Sequence, residues 1–214
     1  MNDKKFSPEN LSDFHLDALQ EVGNIGAGQA AIALTQFLNR STYMSVPNVG
    51  LDDLNAIHAL VKMPTDEEIA IISLDTVTDL QYSLLVFFNK ESVSEIIDLM
   101  TTSSGESNND LATISPLFKS LIKETGSILL LKYVEALNYF LKANSFPSPP
   151  TLRVGTLASL AENELSNLSG DISTVLVIEC DIFTTERNIA VDLAIVPRLD
   201  TFELFMKSLF TEED

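Results

Sequence analysis

The chain has 214 residues, room for one substantial domain or two small ones, and 45% of them are hydrophobic, ample material for a packed core. Thirteen Lys and Arg stand against 31 Asp and Glu, and the resulting net charge of −18 repels nucleic acid and anionic lipid, both held largely through basic side chains. No apolar run reaches bilayer-spanning length and the N-terminus has no apolar signal segment, so a cytoplasmic protein without membrane or nucleic-acid partners is expected.

Residues 10–39 carry Leu11, Phe14, Leu19, Val22, Ile25, Ile32, Leu34, Phe37 and Leu38 at helical spacing, with Asn10 or Ser12 placed to cap the start. Pro47 and Gly50 then read as a loop. Strand-like runs follow at 57–63, 69–75 and 81–88, and a short amphipathic helix at 91–100. Residues 101–110, TTSSGESNND, are polar and read as a linker. After it the order recurs. A long helical pattern covers about 115–143, and a proline-rich turn occupies 147–150. Strand-like runs come at 151–157, 173–183 and 189–196, before a final amphipathic helix at 200–210.

The recurrence extends to residues. A shift of 103 positions superposes Glu21 on Glu124, Gly23 on Gly126, Ile25 on Ile128, Ala33 on Ala136, Leu34 on Leu137, Phe37 on Phe140, Leu38 on Leu141 and Pro47 on Pro150. An internal duplication follows, with repeats at about 10–100 and 110–210 forming a single domain over 1–214. Neither half has strands enough to cover its own core, so the expected fold is α+β. In it two long helices pack on a mixed or antiparallel sheet of about six strands with pseudo-two-fold symmetry.

Within 21-EVGNIGAGQA-30 the glycines Gly23, Gly26 and Gly28 raise two readings. A phosphate loop of the Walker type needs Lys and Ser or Thr after its last glycine, where Gln29 and Ala30 stand. A dinucleotide fingerprint needs Gly-x-Gly-x-x-Gly straight after a strand, whereas helical periodicity runs on both sides here. As helix residues the three glycines cost about 3 kcal/mol, which tertiary packing must offset unless the small surface is itself needed. Either another element of the chain or another protein approaches Gly23, Gly26, Ala27 and Ala30.

Asp17, Glu21 and Asn24 stand at i, i+4 and i+7, on one helix face. Such a stripe is usually a solvated face. A second copy, Ser120, Glu124 and Ser127, lies beside Gly126, and 22 residues separate both Asn24 from Pro47 and Ser127 from Pro150. A merely solvated face has no reason to repeat with its glycine attached. Cys180 sits in an apolar strand-like run and reads as a core residue; His15 and His58 lack companions at ligand spacing, so no metal site is expected.

This pattern resembles the CheC, CheX and FliY family of chemotaxis phosphatases. The family motif is Asp or Ser, three residues, Glu, two residues, Asn, 22 residues, Pro, and it is met at Asp17, Glu21, Asn24 and Pro47. The flanking text 16-LDALQEVGNIGAGQAAIALTQFL-38 looks like the two-copy CheC type, and the resemblance spans essentially the whole chain. It implies hydrolysis of the aspartyl phosphate of a CheY-type response regulator, with Glu21 and Asn24 catalytic. Asp17, Gly23, Gly26 and Pro47 would then support them, the glycines admitting the regulator's loops. The regulator would bring Mg²⁺ and a lysine, so the chain needs no metal or cofactor of its own. In the second copy Ser120, Glu124 and Pro150 fit but Ser127 replaces the asparagine, and that site is expected to be lost or much weakened. The receptor deamidase CheD is a further possible partner, and a monomer is expected. The alternatives are a non-catalytic binding module and a flagellar-switch scaffold of the FliM type.

Overall fold

The computed structural model describes residues 13–53, 63–101, 111–160 and 174–198. Helix α1 spans Asp13–Leu38, α2 Lys90–Met100 and α3 Pro116–Phe140, with a short 3-10 turn at Leu111–Thr113. The strands are β1 Tyr43–Asp53, β2 Glu68–Thr78, β3 Tyr82–Phe88, β4 Ser145–Pro147, β5 Thr151–Thr156, β6 Thr174–Phe183 and β7 Asn188–Pro197. The candidate caps Asn10 and Ser12, most of the 57–63 run, nearly all of the polar 101–110 stretch and the helix expected at 200–210 lie outside the described residues.

Local chemistry sets the helix starts. Ser115 accepts a hydrogen bond from the Phe118 amide at 3.3 Å and Pro116 follows as the first helical residue of α3. Asn89 does the same for α2, accepting from the Ser92 amide at 2.8 Å. The ends of the long helices match one another under the 103-residue shift. Asn39 and Lys142 follow them with φ of 51° and 50°, the left-handed turn that stops a helix. The Thr35 hydroxyl accepts from the Thr42 amide at 3.0 Å, while the Asn138 carboxamide accepts from the Ser145 amide at 2.9 Å and donates to its carbonyl at 2.8 Å. Each clamp ties a helix to the strand that follows it.

The seven strands form one sheet in the order β1-β6-β7-β3-β2-β4, with β5 also paired to β2, and every pairing is antiparallel. β4 and β5 share the outer edge of β2, β4 along Thr76–Thr78 and β5 along Glu68–Ser73. If β4 and β5 are taken as one interrupted strand, the order is symmetric about the β7–β3 pair. The strand expectations at 69–75, 81–88, 151–157, 173–183 and 189–196 all hold.

The loop expectation fails. Pro47 and Gly50 belong to strand β1 rather than to a loop. Proline cannot donate to a ladder, which confines it to edge strands and bulges. β1 is the edge strand, and its register with β6 slips between Ser45 and Asn48, so the irregularity falls where Pro47 stands.

Alternation along the strands divides two cores. Ala70, Ile72, Leu74, Leu84, Val86, Phe88, Ile178, Cys180, Val191 and Leu193 face the helices. Ile69, Ile71, Leu85, Phe87, Val175, Val177, Ala194 and Val196 face the other way and are covered by Met63, Leu157 and Leu160. β3 is buried on both faces. On the helix side α1 lies against α3 and β1, and α3 also meets β2 and β3. Among the described residues no helix is long and apolar enough to cross a membrane.

Candidate functional site

Helix α1 buries Leu19, Val22, Ala27, Ala30 and Leu34, positions that recur at three, four or five residues and form its inward face. Its outward face carries Asp17, Glu21, Asn24 and Gly28, all exposed, and ends in Ile32, itself 66% exposed. Glu21 and Asn24 are neighbours across one turn, roughly 5–6 Å between their Cβ atoms. The structure therefore brings the sequence-derived stripe together on open surface. Pro47 lies apart from it in chain position, on β1, and Pro150 stands just before β5.

The glycines separate into different roles. Gly23 and Gly26 are buried, and a Cβ at Gly26 would lie 2.6 Å from both Cδ1 and Cε1 of Tyr133 on α3. Gly26 thus makes room for a side chain of this same molecule, which corrects the expectation that it admits a partner's loop. The Tyr133 hydroxyl donates to the Gly23 carbonyl at 3.2 Å. Gly28 differs, because nothing lies within 4 Å of where its Cβ would be. Of the three glycines it is Gly28 that leaves open space on the exposed face.

On α3, Ser120 and Glu124 are exposed, and the Ser120 hydroxyl donates to the Pro116 carbonyl at 3.0 Å. Ser127 is only 8% exposed, and its hydroxyl donates to the Lys123 carbonyl of its own helix at 2.6 Å. The neighbouring Gly126 fits against β2, where an added Cβ would come 2.7 Å from Cγ1 of Ile72. The second stripe thus keeps two outward positions and turns the third inward.

No other described group offers rival chemistry. Cys180 is buried against the helices, and burial first, then the negative charges of Asp192 and Asp181, pushes its thiol well above the usual range. It is a core thiol rather than a nucleophile. Burial, and then the proximity of Cys180, likewise raises the Tyr133 phenol, so its hydroxyl stays protonated and able to donate. Among the described residues no cluster of three or more His, Cys, Asp or Glu could hold a metal ion.

Tyr133 escaped the sequence reading, although a signal for it existed. The 103-residue shift pairs Gly26 with Leu129 and Ala30 with Tyr133, so the first helix is small at both positions where the second is large. Such an exchange of bulk is what two helices packed against each other leave in a sequence.

The CheC-like family pattern matches residues 14–51, which takes in the outward stripe of α1 and most of β1. Across 210 residues the chain is 28% identical to the CheY-P phosphatase CheC of Bacillus subtilis (strain 168), covering 93% of this chain and 95% of that protein. FliY of Thermotoga maritima shares the fold, with a TM-score of 0.73 at 20% identity over 94% of this chain and 98% of that one. A chain in the CheX–CheY–BeF3–Mg²⁺ complex from Borrelia burgdorferi also shares it, with a TM-score of 0.50 at 15% identity over 86% and 99%.

Proposed function

We propose that the chain is a CheC-like protein, given its likeness to that family over residues 14–51 and to a CheC over most of its length, and that it accelerates hydrolysis of the aspartyl phosphate of a CheY-type response regulator, with Glu21 and Asn24 as the acting pair. The observation that carries this reading is the exposure of both side chains, one turn apart, on a helix whose other face is locked into the core. A carboxamide donates and accepts at once and remains neutral beside a phosphoryl group. Asn24 would enter the regulator's site and orient the attacking water in line with phosphorus, a positioning task that requires no nucleophile from this chain. Glu21 would pair with a regulator lysine and fix that insertion. The Mg²⁺ that neutralises the phosphoryl charge would be the regulator's own.

Asp17, one turn before Glu21, extends the docking face, and the inward Ser127 leaves the α3 stripe without an acting amide. We read the chain as a single cytoplasmic domain of two repeats with one working site. CheD stays a proposed partner.

The test is phosphate loss from a phosphorylated CheY-type receiver. Wild type accelerates it, Asn24→Ala loses on the order of a hundredfold of the acceleration, and Ser127→Ala retains it. Full activity in Asn24→Ala, or its loss in Ser127→Ala, would overturn the site assignment. A wild type that binds the phosphorylated receiver without accelerating phosphate loss would make it a binding module instead.

A further inference from the structure

Asn24 stands in the least regular part of its helix by composition, with Gly23 before it and Gly26 and Gly28 after it. Glycine lowers helix stability by about 1 kcal/mol per residue relative to alanine. A side chain that must be presented in one orientation is thus mounted on backbone with a weak preference of its own. Something outside α1 has to hold that turn.

Tyr133 is placed to do so. It is fully buried, its ring occupies the space that a Cβ on Gly26 would need, and its hydroxyl reaches the Gly23 carbonyl at 3.2 Å. That carbonyl belongs to the peptide group whose nitrogen is the backbone nitrogen of Asn24. It already accepts within the helical ladder, and a second lone pair takes the phenol. The ring therefore fixes the height of the turn, and the hydroxyl fixes the tilt of the peptide plane attached to the Asn24 Cα.

We propose that Tyr133 is a positioning residue for Asn24, and that helix α3, having turned its own Ser127 inward, serves as the buttress of the stripe on α1. The catalytic half of this statement rests on the phosphatase reading; the structural half does not. Tyr133 touches no reacting atom. It acts through the Gly23–Asn24 peptide.

The test is Tyr133→Phe in the full chain, which keeps the ring and removes the hydrogen bond. Two readouts are taken. Hydrogen exchange at the amides from Asn24 to Ala27 quickens about tenfold while that of β3 is unchanged, as expected for a local rather than a global opening. With a phosphorylated CheY-type receiver, kcat falls about tenfold and KM stays within about twofold. Unaltered exchange at Asn24–Ala27 overturns the proposal whatever the activity. So does faster exchange with unchanged kcat, or exchange that quickens equally in β3, which would mark a residue of stability alone. If wild type itself fails to accelerate phosphate loss, the phosphatase reading falls and the exchange data alone decide whether Tyr133 holds the Asn24 turn.

Discussion

Helices α1 and α3 carry the same polar spacing and present it differently. Asp17 and Ser120 are both exposed, as are Glu21 and Glu124, yet at the third position Asn24 is exposed while Ser127 is buried with its hydroxyl spent on the Lys123 carbonyl. The bulk runs the opposite way, with Leu129 and Tyr133 on α3 where α1 has Gly26 and Ala30. A helix with a thin inward face and an open polar outer face packs against one with a heavy inward face. One stripe can thus be supported by the framework that surrounds the other. It also shows that the α3 stripe differs in both side-chain chemistry and direction, so a single reversion does not rebuild it.

The widest gap between the two helices is expected at their shared glutamate. Under the proposed mechanism Glu21→Ala should lower kcat/KM for a phosphorylated receiver about a hundredfold, because it would leave a receiver lysine desolvated without its counter-charge. Glu124→Ala, at the matching exposed position of α3, changes it by less than about twofold. Steady-state kinetics of the two variants side by side measures this. Equal losses would mean that α3 still docks a receiver.

A smaller effect attends the attempt to make the helices alike. Ser127→Asn restores the motif in the sequence but not the exposure, since the position is 8% open and faces its own fold. The larger amide would have to be buried with its donors unmatched, at a cost of about 2 kcal/mol. Urea unfolding should show that loss, and phosphate release should show no gain. A gain in activity without loss of stability would mean that α3 can rotate its third position outward.

Much of this was legible in the chain. Helical and strand periodicity located α1, α2, α3 and five of the strands, and the spacing of Asp17, Glu21 and Asn24 placed the three side chains on one outward face. β1 was missed because Pro47 and Gly50 are turn residues by local propensity, and only pairing with β6 along a bulged edge overrides that. The glycines were ambiguous for a different reason. Whether a missing Cβ serves a partner or a neighbouring helix depends on Tyr133, 107 positions after Gly26 in the chain. No local pattern reports a contact at that separation. The inward turn of Ser127 belongs to the same class, being fixed by how α3 sits on β2.

The smallest expected effects divide the glycines themselves, with opposite signs. Replacing a helical glycine by alanine gains about 1 kcal/mol of intrinsic helix stability where the methyl has room. At Gly28 nothing lies within 4 Å of the new Cβ, so Gly28→Ala should raise stability by about that amount. At Gly26 the methyl would come 2.6 Å from the Tyr133 ring, which is buried and tethered through its hydroxyl. Overpacking there costs about 1–3 kcal/mol and more than offsets the helical gain, so Gly26→Ala should lose about 1 kcal/mol net. Urea unfolding separates the pair. Receiver kinetics adds the functional half, because Gly28 follows Asn24 by one turn on the exposed face, where a docked receiver would pass closest to backbone. A stabilised Gly28→Ala whose KM rises severalfold would show that selection kept this glycine for a partner at the expense of the helix. If KM stays at the wild-type value, the receiver does not reach Gly28, and docking is confined to the turn between Glu21 and Asn24.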